Sequence, residues 1–399
     1  MTIDESGFPG RIRQSSIVNR HSSIEMNLEW TEEQKILRES VARFCRAEVP
    51  VEAIRAMADG AEGLSDPLWR KIADQAWLGV LVPEEHGGLG LGVRDLAIIL
   101  EEMGRALIPG VYFSTVALGT PAIVLGGSEA LKSRWLEMLA AGEKKATLAL
   151  LEEDGQLGAA HVQTRATRRN GGFVLKGRKF FVPDLDTADV VVTLARAKDG
   201  VTLFVVDTKA KGVSIEKNRL ADATSRSGQL ILRDVEAGAD SVVGEEGEGW
   251  EIVEQILLVA NVGIAAGSVA AAEHVLEQAV SYARKRIQFG VPIGTFQAVK
   301  HPLANLFAEI ESARSAYHYA AWAVDAGIED ARRAVAVARL TCTDAYRNAT
   351  LVSLQAHGGI GFTWEYDLHL HLKRALHNQY FLGVPSDYEE IVACEALGI

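Results

Sequence analysis

A tight break between two long helical patterns constrains this 399-residue chain more than any other feature. The break covers residues 289–294, where two glycines supply turn conformations and Pro292 forbids a continuing helix. Thr295 follows the break directly and is placed to cap the next helix. The pattern therefore predicts a helix hairpin in the C-terminal part of the chain.

Cationic, amide and aromatic side chains stand together just before and within this break. They are Arg284, Lys285, Arg286, Gln288 and Phe289. Fixed guanidinium donors and an aromatic plane at a helix end suit a pyrophosphate or an adenine ring. The alternative is the solvated basic end of a helix hairpin, because runs of charge usually face water.

Composition limits the class of protein and its partners. The chain is 48% hydrophobic and 24% charged, an ordinary soluble composition, and its length favours two or three packed regions. The net charge of -12 argues against a general nucleic-acid binder, which needs a basic face. We expect no membrane span, because charged or amide residues interrupt each apolar run. The distant cysteines Cys45, Cys342 and Cys394 predict free thiols in a reducing compartment, and we expect the cytoplasm.

The residue pattern changes along the chain and predicts an α+β protein with three folded domains. Residues 1–27 lack an apolar core and a cleavage site, which predicts a flexible tail rather than a secretory signal. Residues 28–144 predict an N-terminal helical domain, opened by the capping box Thr31-Glu-Glu-Gln34. Residues 145–243 predict a central antiparallel barrel or sandwich. Residues 244–399 predict a C-terminal four-helix bundle.

The strands and helices follow from short-range periodicity. Short β-branched or aromatic runs predict six strands at 162–168, 173–175, 178–182, 190–195, 203–206 and 229–232. Helical spacing predicts a long helix that ends at Arg286, followed by helices at about 296–326, 329–357 and 368–397.

Four motifs stand out in order along the chain: Leu78-Gly-Val-Leu-Val-Pro-Glu-Glu-His-Gly-Gly-Leu-Gly90, Val243-Gly-Glu-Glu-Gly-Glu-Gly-Trp250, Arg286-Ile-Gln-Phe-Gly290 with Gln297, and Gln355-Ala-His-Gly-Gly-Ile-Gly361. In this order and spacing they resemble the acyl-CoA dehydrogenase family of flavoproteins. The resemblance covers about residues 28–399. It implies FAD as cofactor and α,β-desaturation of an acyl-CoA, in which a carboxylate removes the α-proton and the β-hydrogen leaves as hydride to the flavin.

The resemblance also implies a catalytic base, and both usual positions for it are vacant. In most relatives a Glu precedes a Gly in a loop near the C-terminus, and the matching residue here is Leu382. A minority of relatives place the Glu on the first long helix of the C-terminal domain, where this chain has Ala260. Asp387, Glu389 and Glu390 are nearby carboxylates, although a solvated helix start is their ordinary explanation.

The flavin-binding residues that the resemblance implies fall into two groups. On the ring side, Phe181 keeps a ring that could pack on the flavin, but Pro183 offers neither hydroxyl nor N–H. The loop at 150–158 lacks the usual hydroxyl as well. On the ADP side, every matching position is kept, and in the family's dimers these residues reach the FAD held mainly by the neighbouring subunit. They are Arg286, Gln288, Phe289, Gln297, Gln355, Gly358 and Gly359.

This combination is similar to the degenerate subunit of heteromeric α2β2 members of the family, some of which act on steroid side-chain CoA esters. The resemblance therefore implies a homo- or heterotetramer in fatty acid or steroid side-chain degradation, with electron-transfer flavoprotein as the acceptor. Three alternatives stay open: a self-sufficient dehydrogenase with its base elsewhere, for instance at Asp387, a flavin-dependent monooxygenase, and a non-enzymatic assembly partner. No metal site is expected, because His369 and His371 stand two apart on a helix and diverge.

Overall fold

The computed structural model describes residues 27–60 and 64–398. Helices come first, a sheet follows, and helices close the chain, so the predicted α+β class is confirmed. The predicted tail at 1–27 lies outside the described residues except for Asn27.

The first helix of the N-terminal domain begins where the capping box predicts. Thr31 accepts a hydrogen bond from the Gln34 amide N–H while the Gln34 side chain accepts from Thr31, which completes the capping box. Ser128 likewise caps the last helix of the domain. The helices are α1 Glu32–Glu48, α2 Val51–Asp59, α3 Asp66–Ala73, α4 Val93–Arg105, α5 Val111–Gly126 and α6 Glu129–Ala140.

The central domain is one twisted sheet with strand order β6-β7-β3-β2-β4-β5-β8, and β1 lies beside β4. Most neighbouring strands are antiparallel as predicted, but β1 runs parallel to β4. The chain therefore passes through these two strands in the same direction. The strands are β1 Ala146–Ala149, β2 Arg165–Arg169, β3 Gly172–Pro183, β4 Val190–Arg196, β5 Val201–Asp207, β6 Val213–Lys217, β7 Ser227–Ala237 and β8 Val242–Val243.

Two predicted strands, 173–175 and 178–182, are a single strand in the structure. The polar residues between them suggested an end, but β3 continues through a register shift between Leu175 and Gly177. Such a bulge bends a strand without ending it. A Cβ at Gly177 would overlap Thr164, so glycine allows the close approach at this point.

The C-terminal helices are α7 Gly249–Lys285, α8 Gln297–Ala326, α9 Ala331–His357, α10 Leu368–Tyr380 and α11 Pro385–Leu397. The single helix predicted at 368–397 is therefore wrong. The chain breaks between α10 and α11 because Gly383 has a φ of +123° and Pro385 occupies the first turn of α11.

The predicted helix hairpin is confirmed, and its elbow is a small β-hairpin. Strands β9 Ile287–Gln288 and β10 Val291–Pro292 pair across a turn in which Phe289 and Gly290 have positive φ. Thr295 does not cap α8, because its hydroxyl donates to the carbonyl of Pro292 at 2.8 Å and Phe296 takes the cap position.

Helix α7 is the core helix of the protein. By length and composition it is apolar enough to cross a membrane, contrary to the expectation from the sequence. However, 78% of its most apolar window is buried inside the protein, as is usual for a core helix of a soluble domain. The helix packs against α4, α8, α9 and β5, so it joins the three domains.

Helices α4 and α7 cross at a pair of glycines. A Cβ on Gly104 would overlap the Cα and carbonyl of Gly267 on the facing helix. A Cβ on Gly267 would meet the carbonyl oxygen of Leu100 at 3.2 Å, which is tight but does not overlap. The two backbones therefore approach as closely as helices can, and Gly104 sets the separation.

Gly104→Ala and Gly267→Ala form a matched pair of variants at this crossing. We expect Gly104→Ala to lower the free energy of unfolding by about 1–3 kcal/mol, because overpacking displaces backbone that cannot move alone. For Gly267→Ala we expect a change within about 1 kcal/mol, because the gain in helix propensity offsets the tight contact. Denaturant unfolding measures both, and equal losses would contradict this account of the crossing.

Candidate active site

A cavity of about 320 Å³ lies where the end of β3, the loop after β1 and the segment between α10 and α11 meet. It brings together Phe181, Pro183 and Leu382, which the sequence places at the flavin-ring and base positions. Its size suits a ring system, since ligand pockets begin at roughly 300 Å³. The other residues that line it are Leu148, Leu150, Leu151, Gly155, Phe180, Leu220, Arg226, Ser227, His377, Tyr380 and Phe381.

Phe181 faces this cavity because β3 is irregular at that point. The register with β7 shifts between Lys179 and Val182, and Phe181 takes a φ of +52°. This second bulge turns the aromatic ring outward, so that 54% of the residue is exposed while Val182 and Pro183 stay buried. Phe181 therefore offers a free aromatic face to a planar ligand.

The loop after β1 supplies an ion pair instead of a hydroxyl. Oε1 of Glu152 lies 2.7 Å from Nζ of the fully buried Lys179, and the amide N–H groups of Gln163 and Thr164 donate to the same carboxylate. Burial lowers the pKa of Lys179 to about 8, although the charge of Glu152 opposes the change. Glu152 is thus fully engaged in fixing the loop to β3.

Leu382, which the sequence predicts at the base position, has its backbone held from two sides. The Arg339 guanidinium donates to the carbonyl of Phe381 at 2.7 Å, and the Tyr388 hydroxyl lies 2.5 Å from the carbonyl oxygen of Leu382. The Tyr388 hydroxyl also lies 3.0 Å from Oδ1 of Asn261 on α7. This network fixes a φ of +60° at Leu382, which is unusual for a branched residue.

The two vacant base positions pack in the same apolar cluster. Ala260 is completely buried on α7, and Leu382 is 5% exposed beside it in a core group that includes Leu150 and Ile264. In the described part of the chain, no Asp or Glu lines the 320 Å³ cavity. A carboxylate at either position would therefore lie among apolar side chains, which do not solvate its charge.

The carboxylates near the C-terminus do not reach the cavity. Asp387 caps α11, where its Oδ2 accepts a hydrogen bond from the Val384 amide N–H at 2.9 Å. Glu389 and Glu390 are exposed on the same helix. Their positions agree with the ordinary explanation of a solvated helix start.

A second, smaller cavity of about 100 Å³ adjoins the first. The two share Pro183, Arg226, His377 and Phe381 as lining residues. The walls of the smaller cavity come mainly from α4, α7 and α10, including the glycines at the α4–α7 crossing. It also contains a carboxylate that the sequence analysis missed, Asp184.

Asp184 is buried at the end of β3 with a φ of +47°. Burial raises the pKa of its carboxyl to about 7, and the negative charge of Asp186 acts in the same direction. The hydroxyl of Ser114 and the charges of Arg226 and Arg374 act in the opposite direction but do not cancel the effect of burial. In the sequence this site is marked by a single Asp between buried residues. A single residue forms no periodic pattern, so the site could not be predicted from it.

The residues predicted for the ADP side lie elsewhere, on the surface of the C-terminal domain. Arg286, Gln288, Phe289 and Gln297 are all exposed, and Phe289 is 92% exposed. Among the described residues, no carboxylate pairs with the guanidinium of Arg286. None of the four lines the 320 Å³ cavity.

The structure brings this group next to Gln355, Gly358 and Gly359. The ring of Tyr282, near the end of α7, stacks on His357 at the end of α9 with centroids 4.2 Å apart. Gln355 is exposed, and Gly358 has a φ of +64° with no heavy atom within 4 Å of a Cβ built on it. Open backbone, a free cation and an exposed ring together fit the ADP part of FAD.

No group of three or more His, Cys, Asp or Glu in the described residues could hold a metal ion. His371 is buried, and its Nδ1 lies 2.9 Å from the hydroxyl of Tyr346. His369 lies instead against the ring of Trp364. The two histidines therefore diverge.

Stability should depend on pH through Asp184. The pKa of Asp184 in the folded state, about 7, lies above its ordinary value of 3.8, so the folded protein binds the extra proton between these values. The stabilising contribution is present below about pH 4 and is lost as the pH rises through about 7. Asp184→Asn removes this dependence and keeps a residue type that tolerates positive φ.

We expect the free energy of unfolding of Asp184→Asn, relative to wild type, to rise by roughly 2–3 kcal/mol between about pH 5 and about pH 8. Denaturant unfolding at the two pH values measures the change. Asp387→Asn, at an exposed cap, is the control and should differ from wild type by a similar amount at both. A parallel pH dependence in wild type and Asp184→Asn would refute the buried-carboxyl account.

Comparison with known proteins identifies the family. Three family models match in order: the acyl-CoA dehydrogenase N-terminal domain over residues 31–143, the middle domain over 147–235 and the C-terminal domain over 247–390. Acyl-CoA dehydrogenase IpdE2 of Mycolicibacterium smegmatis is 32% identical over 358 residues, which cover 90% of this chain and 96% of that protein.

Solved structures agree with the sequence matches. The FAD complex of PigA superposes with a TM-score of 0.87 at 25% identity, covering 94% of this chain and 99% of that chain. A chain of the ChsE4–ChsE5 complex from Mycobacterium tuberculosis superposes with a TM-score of 0.86 at 26% identity, covering 94% and 100%. The chain therefore belongs to the acyl-CoA dehydrogenase family and is an FAD-dependent dehydrogenase of that family.

Proposed function

We propose that this chain takes part in the α,β-desaturation of an acyl-CoA as the subunit of a heteromer that lacks the usual Glu base. The observation that carries the proposal is the apolar packing of Leu382 against the cluster that contains Ala260. A carboxylate at either position would have to lie in that cluster, where burial without a partner disfavours its charge. The base would therefore come from the partner chain.

The exposed ADP-side residues support the other half of the proposal. Phe289 is exposed and Arg286 has no carboxylate partner among the described residues, so both are free to meet an aromatic or phosphate group that a partner brings. Arg286 would hold the pyrophosphate of FAD, and the open backbone at Gly358 and Gly359 would let the cofactor approach. These residues would bind and orient FAD at the subunit interface, where it accepts the hydride.

A relative supports the assembly. One solved neighbour is a complex of two different proteins, ChsE4 and ChsE5. We place this chain in a similar α2β2 tetramer, with electron-transfer flavoprotein as acceptor and a fatty acyl or steroid side-chain CoA ester as substrate. The buried free thiols Cys45 and Cys342 favour a reducing compartment such as the cytoplasm.

Self-sufficient catalysis through Asp387 has less support, because that carboxylate is exposed and engaged as a helix cap. A monooxygenase and a non-enzymatic assembly partner both stay as outcomes of the experiments below. The first would form product only with reduced flavin and oxygen. The second would raise the activity of its partner without any effect of changes at Arg286 or Phe289.

The visible spectrum tests the proposal directly. We expect this chain to be colourless when purified alone and to form a yellow complex with a catalytic acyl-CoA dehydrogenase subunit, which an acyl-CoA then bleaches; products of neighbouring genes are the first candidates to test. The reason is that its own ring site lacks the usual hydroxyl and base, whereas its ADP-side residues complete the partner's site. A yellow homomer that an acyl-CoA bleaches would contradict the proposal.

Arg286→Ala and Arg284→Ala form a matched pair on the same helix end. In the purified complex we expect Arg286→Ala to weaken FAD binding by about 10- to 100-fold, because it removes a charge-assisted contact to the pyrophosphate. Arg284→Ala removes an equal charge and should leave FAD binding within about threefold of wild type. Titration of the apo complex with FAD measures both, and equal effects would indicate a general electrostatic role.

A further inference from the structure

Asp184 faces the 100 Å³ cavity without an ion-pair partner among the described residues. The two nearest guanidinium groups are engaged elsewhere: Arg226 pairs with Asp186, and Arg374 donates to Asp222 at 2.7 Å. Burial also lowers the pKa of His377 to about 4, so this neighbouring ring is uncharged at neutral pH. The hydroxyl of Ser114 donates to the Asp184 carboxyl, and because a carboxylate accepts more than one hydrogen bond, a ligand can supply a further donor.

The rest of the cavity wall is mostly apolar. Leu100 and Met103 come from α4, Ile264 comes from α7, and Phe381 closes the side toward the larger cavity. A water-sized group needs roughly 10–15 Å³ in such a space, so about 100 Å³ accepts a short chain end or a small ring. The cavity thus combines apolar walls with one polar group at Asp184.

The two cavities adjoin, so one ligand can extend from the larger cavity into the smaller one. They share the lining residues Pro183 and Phe381, and Leu382 lies at the base position in the larger one. An acyl-CoA whose thioester lies beside Leu382 would extend its acyl group past Phe381 into the smaller cavity. Asp184 lies on that side, within 3.0 Å of a Cβ built on Gly110 at the start of α5.

We propose that the smaller cavity binds the far end of an acyl group that carries a hydroxyl, and that Asp184 accepts a hydrogen bond from this hydroxyl. The proposal rests on the acyl-CoA ligand of the proposed function and adds the class of acyl group. It concerns binding in this chain's own cavity and requires no base.

Charge separates the hydroxyl from the other groups that could reach Asp184. A carboxylate at the far end of the acyl group would meet two acidic side chains, Asp184 and Asp186, while Arg226 and Arg374 stay engaged. An ammonium group would lose its hydration among cavity walls that are mostly apolar. A plain alkyl end would add no donor to the hydroxyl of Ser114, so an uncharged ligand hydroxyl is the group that the cavity favours.

Binding by paired ligands tests the proposal. Isothermal titration of the purified complex with butanoyl-CoA, hexanoyl-CoA and the ω-hydroxy counterpart of each gives four affinities. At pH 8, where Asp184 is largely ionised because its pKa is about 7, we expect an ω-hydroxy ester to bind about 10- to 100-fold tighter than its alkyl partner, since a hydrogen bond to an ionised group is strong. In Asp184→Asn this preference should fall by about tenfold, because a neutral acceptor is weaker.

Met103→Leu is the control, because it changes the wall of the cavity without changing its polar group. It should shift the affinities for each alkyl and hydroxy pair together. Equal binding of both members of each pair by wild type, no binding at all, or a preference that Asp184→Asn keeps would each overturn the proposal.

The same complex separates this proposal from the proposed function. Bleaching of the flavin by butanoyl-CoA reports desaturation, whereas the titration reports binding in the cavity. A hydroxyl preference without bleaching would leave the cavity proposal intact and count against desaturation. Bleaching without a hydroxyl preference would support desaturation and overturn the cavity proposal.

Discussion

The close crossing of α4 and α7 at Gly104 and Gly267 is the contact on which the rest of the molecule depends. Because the two backbones touch there, α7 has one position relative to the N-terminal domain. Its first half then meets the sheet, and its middle forms one wall of the smaller cavity. Its last turn presents Arg286 at the surface. One helix thus fixes the spacing between a buried site and an exposed one.

The buried site and the exposed site differ in how they contribute to the stability of the chain. The buried site has closed around Leu382 and Ala260, and apolar packing there stabilises the chain by itself. The exposed site adds little apolar burial to the isolated chain, since Phe289 is 92% exposed. Its shape is nevertheless fixed by the stacking of Tyr282 on His357 and by the turn at Phe289 and Gly290. A fixed arrangement of exposed residues that adds little to stability is typical of a binding surface.

The sequence predicts the parts of the structure that repeat and misses those that occur once. Periodicity and caps located the long helices and the elbow at Pro292, because many residues share each signal. The break at 381–384 escaped notice since Tyr380, Phe381 and Leu382 fit a helical apolar stripe. The strands β1 and β8 are too brief to show alternation, and β6 is a partly exposed strand at the edge of the sheet.

The candidate site also has a part that the sequence predicts and a part that it misses. Its surface half could be located because a motif places the residues in one stretch of chain and in the segment after α9. Asp184 could not be, because its importance comes from burial beside a cavity formed by segments far apart in sequence. The role of Asp387 as a helix cap could not be predicted either, because it depends on where α10 ends. Contacts between distant segments set these environments, and no local pattern records them.

The backbone of the loop that carries Leu382 is held by hydrogen bonds to main-chain atoms. Arg339 binds the carbonyl of Phe381 and Tyr388 binds that of Leu382, so these bonds do not depend on the side chain at position 382. A substitution there can remove a reactive group while the backbone keeps its course, and a buried leucine adds apolar packing in return. Loss of chemistry at this point would therefore have cost the fold little, and a duplicated gene could drift into a supporting role in few steps.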